Sequence, residues 1–498
     1  MALWNILIIL FDSCGESCMI VKQKIFNYFM IELLICGILV LGCKFISDKV
    51  SVEKFIGFFT IINIIIFFIT QRIIRKEVFS ISTLFTVFMY LFNLGLPVSR
   101  LFGWIDREKE AFVVRRIYIM GKDTFIQYSI YAFLLITMLQ LGIFYYYSKQ
   151  NYSDLLEYDN ELIYEKLLKR CNNIGVICLI LGIIPYIYEE YIYIQGAVLY
   201  GYSNSENTSN LSGTGIGLIG NLFVLGIFFL IYSYQKNKIK FNILFYFFVI
   251  YQIIRMYVTG DRSTGVTLIL VCVLIRHKFV SEIKGIKAVL YLFIVYIAMI
   301  FIKLIEMTRF INSASANDVI YELFQSNMFA ETIFEYGGNV WSGMMVYYSV
   351  PSTGSFRYGL TYIAAIIGKP LSILGINDSI WRFADFSYFI NDDGRGSVIE
   401  TARSAMGGSF SGEWYFNFGW IGLFFIPVFG YFLAKFSDAC VDKKQNPVLS
   451  AFFIYIATLI IWWVRQYFTS VSWYSVFYGL IVYFLYKFLD SCNIRSNR

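Results

Sequence analysis

The chain carries one histidine, His277, and six prolines, and only 15% of its 498 residues are charged. Each shortage excludes something. So little charge against 58% apolar residues rules out a water-soluble fold, because surface-to-volume scaling limits how much apolar surface such a fold can hide. Few prolines, and no Gly/Ser-rich or acidic linker, mean that nothing marks off a separate soluble domain, so residues 1–498 read as a single membrane domain. None of the nine cysteines lies between residues 307 and 412, so no disulfide framework is expected in that stretch.

What the chain has in place of charge is a series of apolar runs, each near the ~20 residues needed to cross a bilayer. They fall at Phe26–Ile46, Phe55–Thr70, Val78–Pro97, Phe125–Tyr147, Ile174–Ile192 and Thr214–Tyr232 in the first half. The second half adds Phe241–Val258, the short Gly265–Arg276, Ala288–Glu306, Trp414–Phe436, Leu449–Tyr467 and Val471–Leu489. Every span must be helical, since an open strand leaves backbone groups unpaired in hydrocarbon. The expected fold is therefore an all-α polytopic integral membrane protein with about twelve transmembrane helices. Leu3–Phe11, a short apolar stretch with no basic leader or small-residue cleavage site, reads as an interfacial segment.

Charge orients the spans. With both termini cytoplasmic (N-in/C-in), Lys and Arg are concentrated in the short inner loops, as the positive-inside rule requires. His277 then lies on the cytoplasmic side, so no histidine base or His-ligated metal acts at the outer face.

Three exceptions to the charge rule carry the functional information. The short outer loop Arg100–Lys122 holds Arg100, Arg107, Lys109, Arg115, Arg116 and Lys122. They are either offset by Asp106, Glu108, Glu110 and Asp123 or serve an anionic ligand at the outer surface. Arg255 sits about one turn below the outer face, where a charge is costly and usually functional. Arg262 follows just beyond Gly260. The alternative is that Arg255 snorkels to the interface and Arg262 pairs with Asp261.

The third exception is the long outer loop 307–412, too aromatic to be disordered and expected to be partly helical, with amphipathic stretches at Val319–Phe334 and Leu360–Leu374 lying on the membrane surface. It carries Arg309, Arg357, Arg382, Arg395 and Arg403 but only Lys369 among lysines. That bias favours bidentate recognition of phosphate or carboxylate.

Other motifs reduce to structure. Gly215-Ile-Gly217-Leu-Ile-Gly220 matches a dinucleotide fingerprint but opens a span and follows no strand, so it reads as close helix packing. Asp392-Asp393 reads as a turn rather than a metal site, and Cys14 and Cys18 lack further ligands. No two-half repeat of the transporter kind is visible.

Three stretches resemble the Wzy-type oligosaccharide repeat-unit polymerases of surface polysaccharide assembly, the family of O-antigen and capsule polymerases. They are Thr259–Ser263; Glu335–Asn339 with Ser349–Pro351 and Phe356–Gly359; and Gly407–Gly419 leading into a span. The resemblance implies a membrane glycosyltransferase in the cytoplasmic membrane of a bacterium. It would take a glycan from one undecaprenyl-diphosphate carrier and add it to another carrier-linked repeat, with no cofactor, metal or nucleic acid. A chain-length regulator and a flippase are the partners it implies.

On that reading Arg255, Arg262 and one or more of Arg357, Arg382, Arg395 and Arg403 clamp the diphosphate, whose developing charge needs preorganised donors. Glu413 is the first candidate for the base that orients the acceptor hydroxyl, and Glu335 the second. A Glu at a helix start is also favourable for its dipole alone. Trp341, Trp414, Tyr415 and Trp420 fit either sugar stacking or an interfacial aromatic belt. The rival classes are a lipid-linked oligosaccharide flippase or other transporter, expected to have short outer loops, and an O-antigen-ligase-like transferase, which commonly uses an outer histidine.

Overall fold

The computed structural model describes residues 16–75, 77–105, 121–150, 161–200, 215–259, 262–283, 327–353, 356–373, 378–384, 389, 408–442 and 445–496. Among these the secondary structure is helical, without a strand. Nine helical segments among the described residues are long and apolar enough to cross a membrane. They correspond to nine of the twelve expected runs. The helix on Leu449–Tyr467 spans Pro447–Trp463, and that on Gly265–Arg276 spans Arg262–Ile275 before a π turn, so both are shorter. The run Ala288–Glu306 lies outside the described residues, as do Leu3–Phe11, most of the Arg100–Lys122 loop and Asp392-Asp393.

The described residues gather into two compact units. The first joins Met1–Leu155 with Ile333–Tyr358 and Ser411–Ser437. Its spans are α1 (Glu16–Phe45), α2 (Lys49–Arg75), α3 (Ile81–Leu101) and α4 (Lys122–Ser148). The pattern of α2 is inverted relative to a soluble helix. Phe58, Ile65, Ile69 and Ile73 are exposed, while Glu53, Thr60, Asn63, Gln71 and Arg75 are buried. In lipid this is the stable arrangement, because apolar side chains lose nothing outside and polar groups find partners inside.

Those partners tie the four helices together. The Asn63 amide donates to Glu32 of α1 (2.8 Å) and Thr137 of α4 (2.9 Å), and Tyr90 of α3 donates to its oxygen. Tyr28 of α1 donates to Gln140 of α4 at 2.8 Å. Towards one end of the same helices Arg100 pairs with Glu53 at 2.9 Å, both nearly inaccessible, and Lys49 pairs with Asp123 at 2.8 Å. Within the basic cluster Arg100–Lys122, Arg100 is thus neutralised by Glu53, a residue outside the loop, while Asp123 pairs with Lys49 of α2. At the other end Arg75 donates to the Tyr147 hydroxyl at 2.6 Å and lies over its ring.

The second unit joins Leu156–Thr332, Gly359–Phe410 and Asp438–Arg498. It holds α5 (Glu161–Tyr200), the paired α6 (Gly215–Gly220) and α7 (Leu222–Ser233), α8 (Lys238–Thr259) and α9 (Arg262–Ile275). Beyond these come α12 (Leu360–Ile373), α13 (Asp378–Ala384), α16 (Pro447–Trp463) and α17 (Phe468–Ser496). In α6, the Gly215–Gly220 motif does pack helices. A β-carbon on Gly220 would lie 3.2 Å from the Tyr186 backbone nitrogen, and Gly226 of α7 abuts the Gly175 carbonyl of α5. On α8, Ile239, Ile243, Phe247, Ile250, Ile254 and Tyr257 form an exposed apolar stripe.

The scarce prolines also fit a bilayer. Pro97, Pro185, Pro351, Pro370 and Pro427 lie inside helices, and Pro447 opens one. Membrane helices tolerate such positions because neighbours re-satisfy the freed carbonyls. The six cysteines whose side chains are described are free thiols.

Candidate functional site

The site builds on a broken helix in the first unit. α14 (Phe410–Phe418) ends in a short 3-10 turn, Gly419–Ile421, before α15 (Gly422–Ala439) continues the span. Gly419 has φ +55, a left-handed conformation in which a β-carbon would also strike the Phe356 ring. Trp414 bridges the break, its indole nitrogen donating to the Gly422 carbonyl at 2.9 Å. Trp414 thus ties the two halves of the broken helix together.

Glu413 lies in the first turn of α14 and is 1% exposed. Its neighbour Ser411 hydrogen-bonds the Tyr128 hydroxyl of α4 (2.7 Å) and the side-chain oxygen of Asn93 of α3, to which Tyr128 also donates. One turn on, the Asn417 amide donates to the Glu413 carbonyl at 2.9 Å. The first-turn position supplies the favourable end of the helix dipole, which stabilises a carboxylate that burial alone disfavours.

Glu335 sits on α10 (Met328–Gly337), followed by α11 (Val340–Thr353). A β-carbon on Gly95 of α3 would lie 2.8 Å from the Ile333 carbonyl oxygen and 2.9 Å from the Gly337 α-carbon. Two bare backbones thus meet face to face beside Glu335, and Tyr336 packs edge-on against Phe92 at 5.4 Å. α3 therefore serves both carboxylate elements: Asn93 holds the start of α14, and Gly95 holds the end of α10.

The second and third stretches of the family resemblance come together here. The backbone nitrogens of Arg357 and Tyr358 donate to the carbonyls of Phe416 (3.1 Å) and Asn417 (2.8 Å). The Arg357 guanidinium lies over the Phe416 ring at 5.4 Å. Arg357 is thereby fixed against the helix that carries Glu413. Tyr358 pays a conformational cost for this, with φ +50 in a residue that has a β-carbon.

Around the same helix, Tyr415 packs on Tyr347 (4.7 Å) and Tyr131 (5.0 Å), and Tyr131 packs on Trp420 (5.3 Å). In this cluster Tyr131 and Tyr415 are buried and Trp420 is exposed, while Trp341 is buried. Tyr131 and Tyr347 carried no sequence signal, because one aromatic among 20% aromatic residues does not stand out.

The remaining candidates lie in the second unit or outside the described residues. Arg255 of α8 is held by Glu190 of α5, its Nε donating to both carboxylate oxygens at 2.8 and 2.9 Å. It also lies over the Tyr193 ring. Neither Glu190 nor the half-buried Glu189 was singled out from sequence, though an acid pair inside an apolar run is the signal that finds them. Arg262 is the first residue of α9, and Arg382 is exposed on α13. Arg395 and Arg403 lie outside the described residues. His277 lies in the π turn after α9 and accepts from the Ile283 amide at 3.0 Å. Among the described residues no group of three His, Cys, Asp or Glu side chains could hold a metal ion.

Neither the curated proteins nor the solved structures contain a significant match to the chain. The model of one protein family, O-antigen polysaccharide polymerase Wzy, matches residues 25–493. That match takes in every described span and both carboxylate elements, and the chain belongs to the O-antigen polysaccharide polymerase Wzy family.

Proposed function

We propose that the protein lengthens a surface polysaccharide by joining undecaprenyl-diphosphate-linked oligosaccharide repeats at the outer face of a bacterial cytoplasmic membrane. The family match over nearly the whole chain carries this reading. In the topology proposed with it, both termini are cytoplasmic, about twelve spans cross the membrane and residues 307–412 lie outside.

The acceptor hydroxyl of one carrier-linked repeat attacks the anomeric carbon of the other glycan. The bond from that carbon to the diphosphate breaks, and the electron pair leaves with the phosphate. Glu413 takes the hydroxyl proton, with Glu335 as second candidate. Arg357, pinned against α14, is the arginine best placed to meet the diphosphate near Glu413. Arg255, Arg262, Arg382, Arg395 and Arg403 remain candidates for the same diphosphate. For Arg255 the bond to Glu190 means that a ligand would have to compete with an internal carboxylate. Chain-length control by a separate regulator, and supply of repeats by a flippase, complete the proposed setting.

The test is the length distribution of surface glycan in a deletion strain complemented with wild-type protein, Glu413→Gln or Arg357→Ala. Collapse of the ladder to a single surface-exposed repeat on deletion supports polymerisation. Loss of all surface glycan, with lipid-linked repeats accumulating inside, would make the protein a flippase.

A further inference from the structure

We propose, resting on the polymerase reading and on Glu413 as its base, that Tyr128 of α4 is a positioning residue for the reaction: through the Ser411 hydroxyl it fixes the rotation of α14, and with it Glu413. α14 divides into two faces. Ser411 and Tyr415, one turn apart, share the face turned to α4, where Ser411 shares a hydrogen bond with the Tyr128 hydroxyl (2.7 Å) and Tyr415 packs on Tyr131 (5.0 Å). At 3.6 residues per turn Glu413 lies about 200° around the helix from Ser411. Its neighbour there, three residues on, is Phe416, whose ring carries the Arg357 guanidinium. One face is the anchor, and the other holds both groups proposed for the chemistry.

The anchor is directional. Ser411 and Tyr128 both donate to the side-chain oxygen of Asn93 on α3, the second at 3.1 Å, and the Asn93 amide donates to the Met89 carbonyl at 2.8 Å. Ser411, Tyr128 and Asn93 are all buried. α11 leaves room for the cluster, since a β-carbon on Gly343 would strike the Tyr128 oxygen. Apolar packing is non-directional and lets a helix roll, whereas hydrogen bonds weaken steeply with angle. A roll of roughly 20° on a cylinder 10–12 Å across moves a side chain by about 2 Å. A misplacement of ~1 Å at reacting groups can already cost about 100-fold in rate.

The same bonds read as structure alone are interhelical glue, and Tyr90 supplies the matched comparison. Its hydroxyl donates to Asn63 of α2 and accepts from Gln140 of α4. It is as deeply buried in the same unit, and it joins α2, α3 and α4 without touching α14.

The test uses full-length protein in proteoliposomes with a prenyl-diphosphate-linked repeat as substrate. The kcat and KM of lengthening, per folded protein, and the melting temperature are measured for Tyr128→Phe, Ser411→Ala, the two together, and Tyr90→Phe. Tyr128→Phe should lower kcat by about 10-fold or more and leave KM within about twofold, the signature of a lost transition-state alignment. Ser411→Ala should do the same, and carries the test if Tyr128→Phe does not fold. The double variant should lose no more than the larger single loss, because both substitutions delete one bond. Tyr90→Phe should melt earlier by a similar amount and keep its kcat. A wild-type kcat in Tyr128→Phe or Ser411→Ala, an equal kcat loss in Tyr90→Phe, or fully additive losses would overturn the positioning role while leaving the polymerase reading in place. No lengthening by the wild type would overturn both.

Discussion

Gly95 is the position where a single methyl group tests the architecture most sharply. A β-carbon there would lie 2.8 Å from the Ile333 carbonyl oxygen and 2.9 Å from the Gly337 α-carbon, against an ordinary carbon–carbon separation of about 3.5–4.0 Å. Both obstacles are backbone, so no side chain can swing away. α10 must retreat by roughly 0.5–1 Å, and overpacking of this kind costs about 1–3 kcal/mol.

α10 carries Glu335, and a misplacement of ~1 Å at reacting groups can cost about 100-fold in rate. Gly95→Ala should therefore lower the melting temperature in detergent by several degrees and shorten the glycan ladder more than its stability loss explains. Gly37→Ala is the internal control, because nothing lies within 4 Å of its would-be β-carbon. There the substitution should be neutral, or stabilising by a fraction of the ~0.5–1 kcal/mol helix penalty of glycine. If Gly95→Ala behaves like Gly37→Ala, the close approach of α3 and α10 is wrong.

Three further substitutions separate structure from chemistry. Arg100→Ala removes the guanidinium paired with the Glu53 carboxylate, whose side chain is 3% exposed, and breaking a buried pair costs up to about 3–5 kcal/mol. Arg100→Ala with Glu53→Gln should recover part of that in the same melting assay. Glu413→Gln should express and melt like wild type yet leave single repeats in a glycan gel; a normal ladder would remove Glu413 from the chemistry. At equal protein level, Arg255→Gln should shorten the ladder while Glu190→Gln, which releases Arg255, preserves it. Equal losses in both would make that ion pair purely structural.

Much of the fold was legible because lipid imposes length and composition on a span. The runs at Val78–Pro97 and Phe125–Tyr147 match α3 and α4 to within a few residues. Gly265–Arg276 was marginal in sequence and is short in structure, where α9 gives way to a π turn at Arg276. The site was legible only in part. Arg357 and Glu413 carry motif signals, but their joining depends on backbone hydrogen bonds from 357 and 358 to 416 and 417, and main-chain pairing leaves no trace in residue identity. The partner of Arg255 lies 65 residues away on another helix. Helical periodicity reports which face of a helix is buried but not which helix faces it.

The most direct measurement is reconstitution of the purified protein in liposomes with a single prenyl-diphosphate-linked repeat unit as substrate. The products are resolved by length, and released prenyl diphosphate is counted. The polymerase account predicts a ladder of carrier-linked oligomers with one prenyl diphosphate released per repeat added, and neither product with Glu413→Gln. Movement of the repeat across the bilayer, with no lengthening and no released prenyl diphosphate, would contradict it.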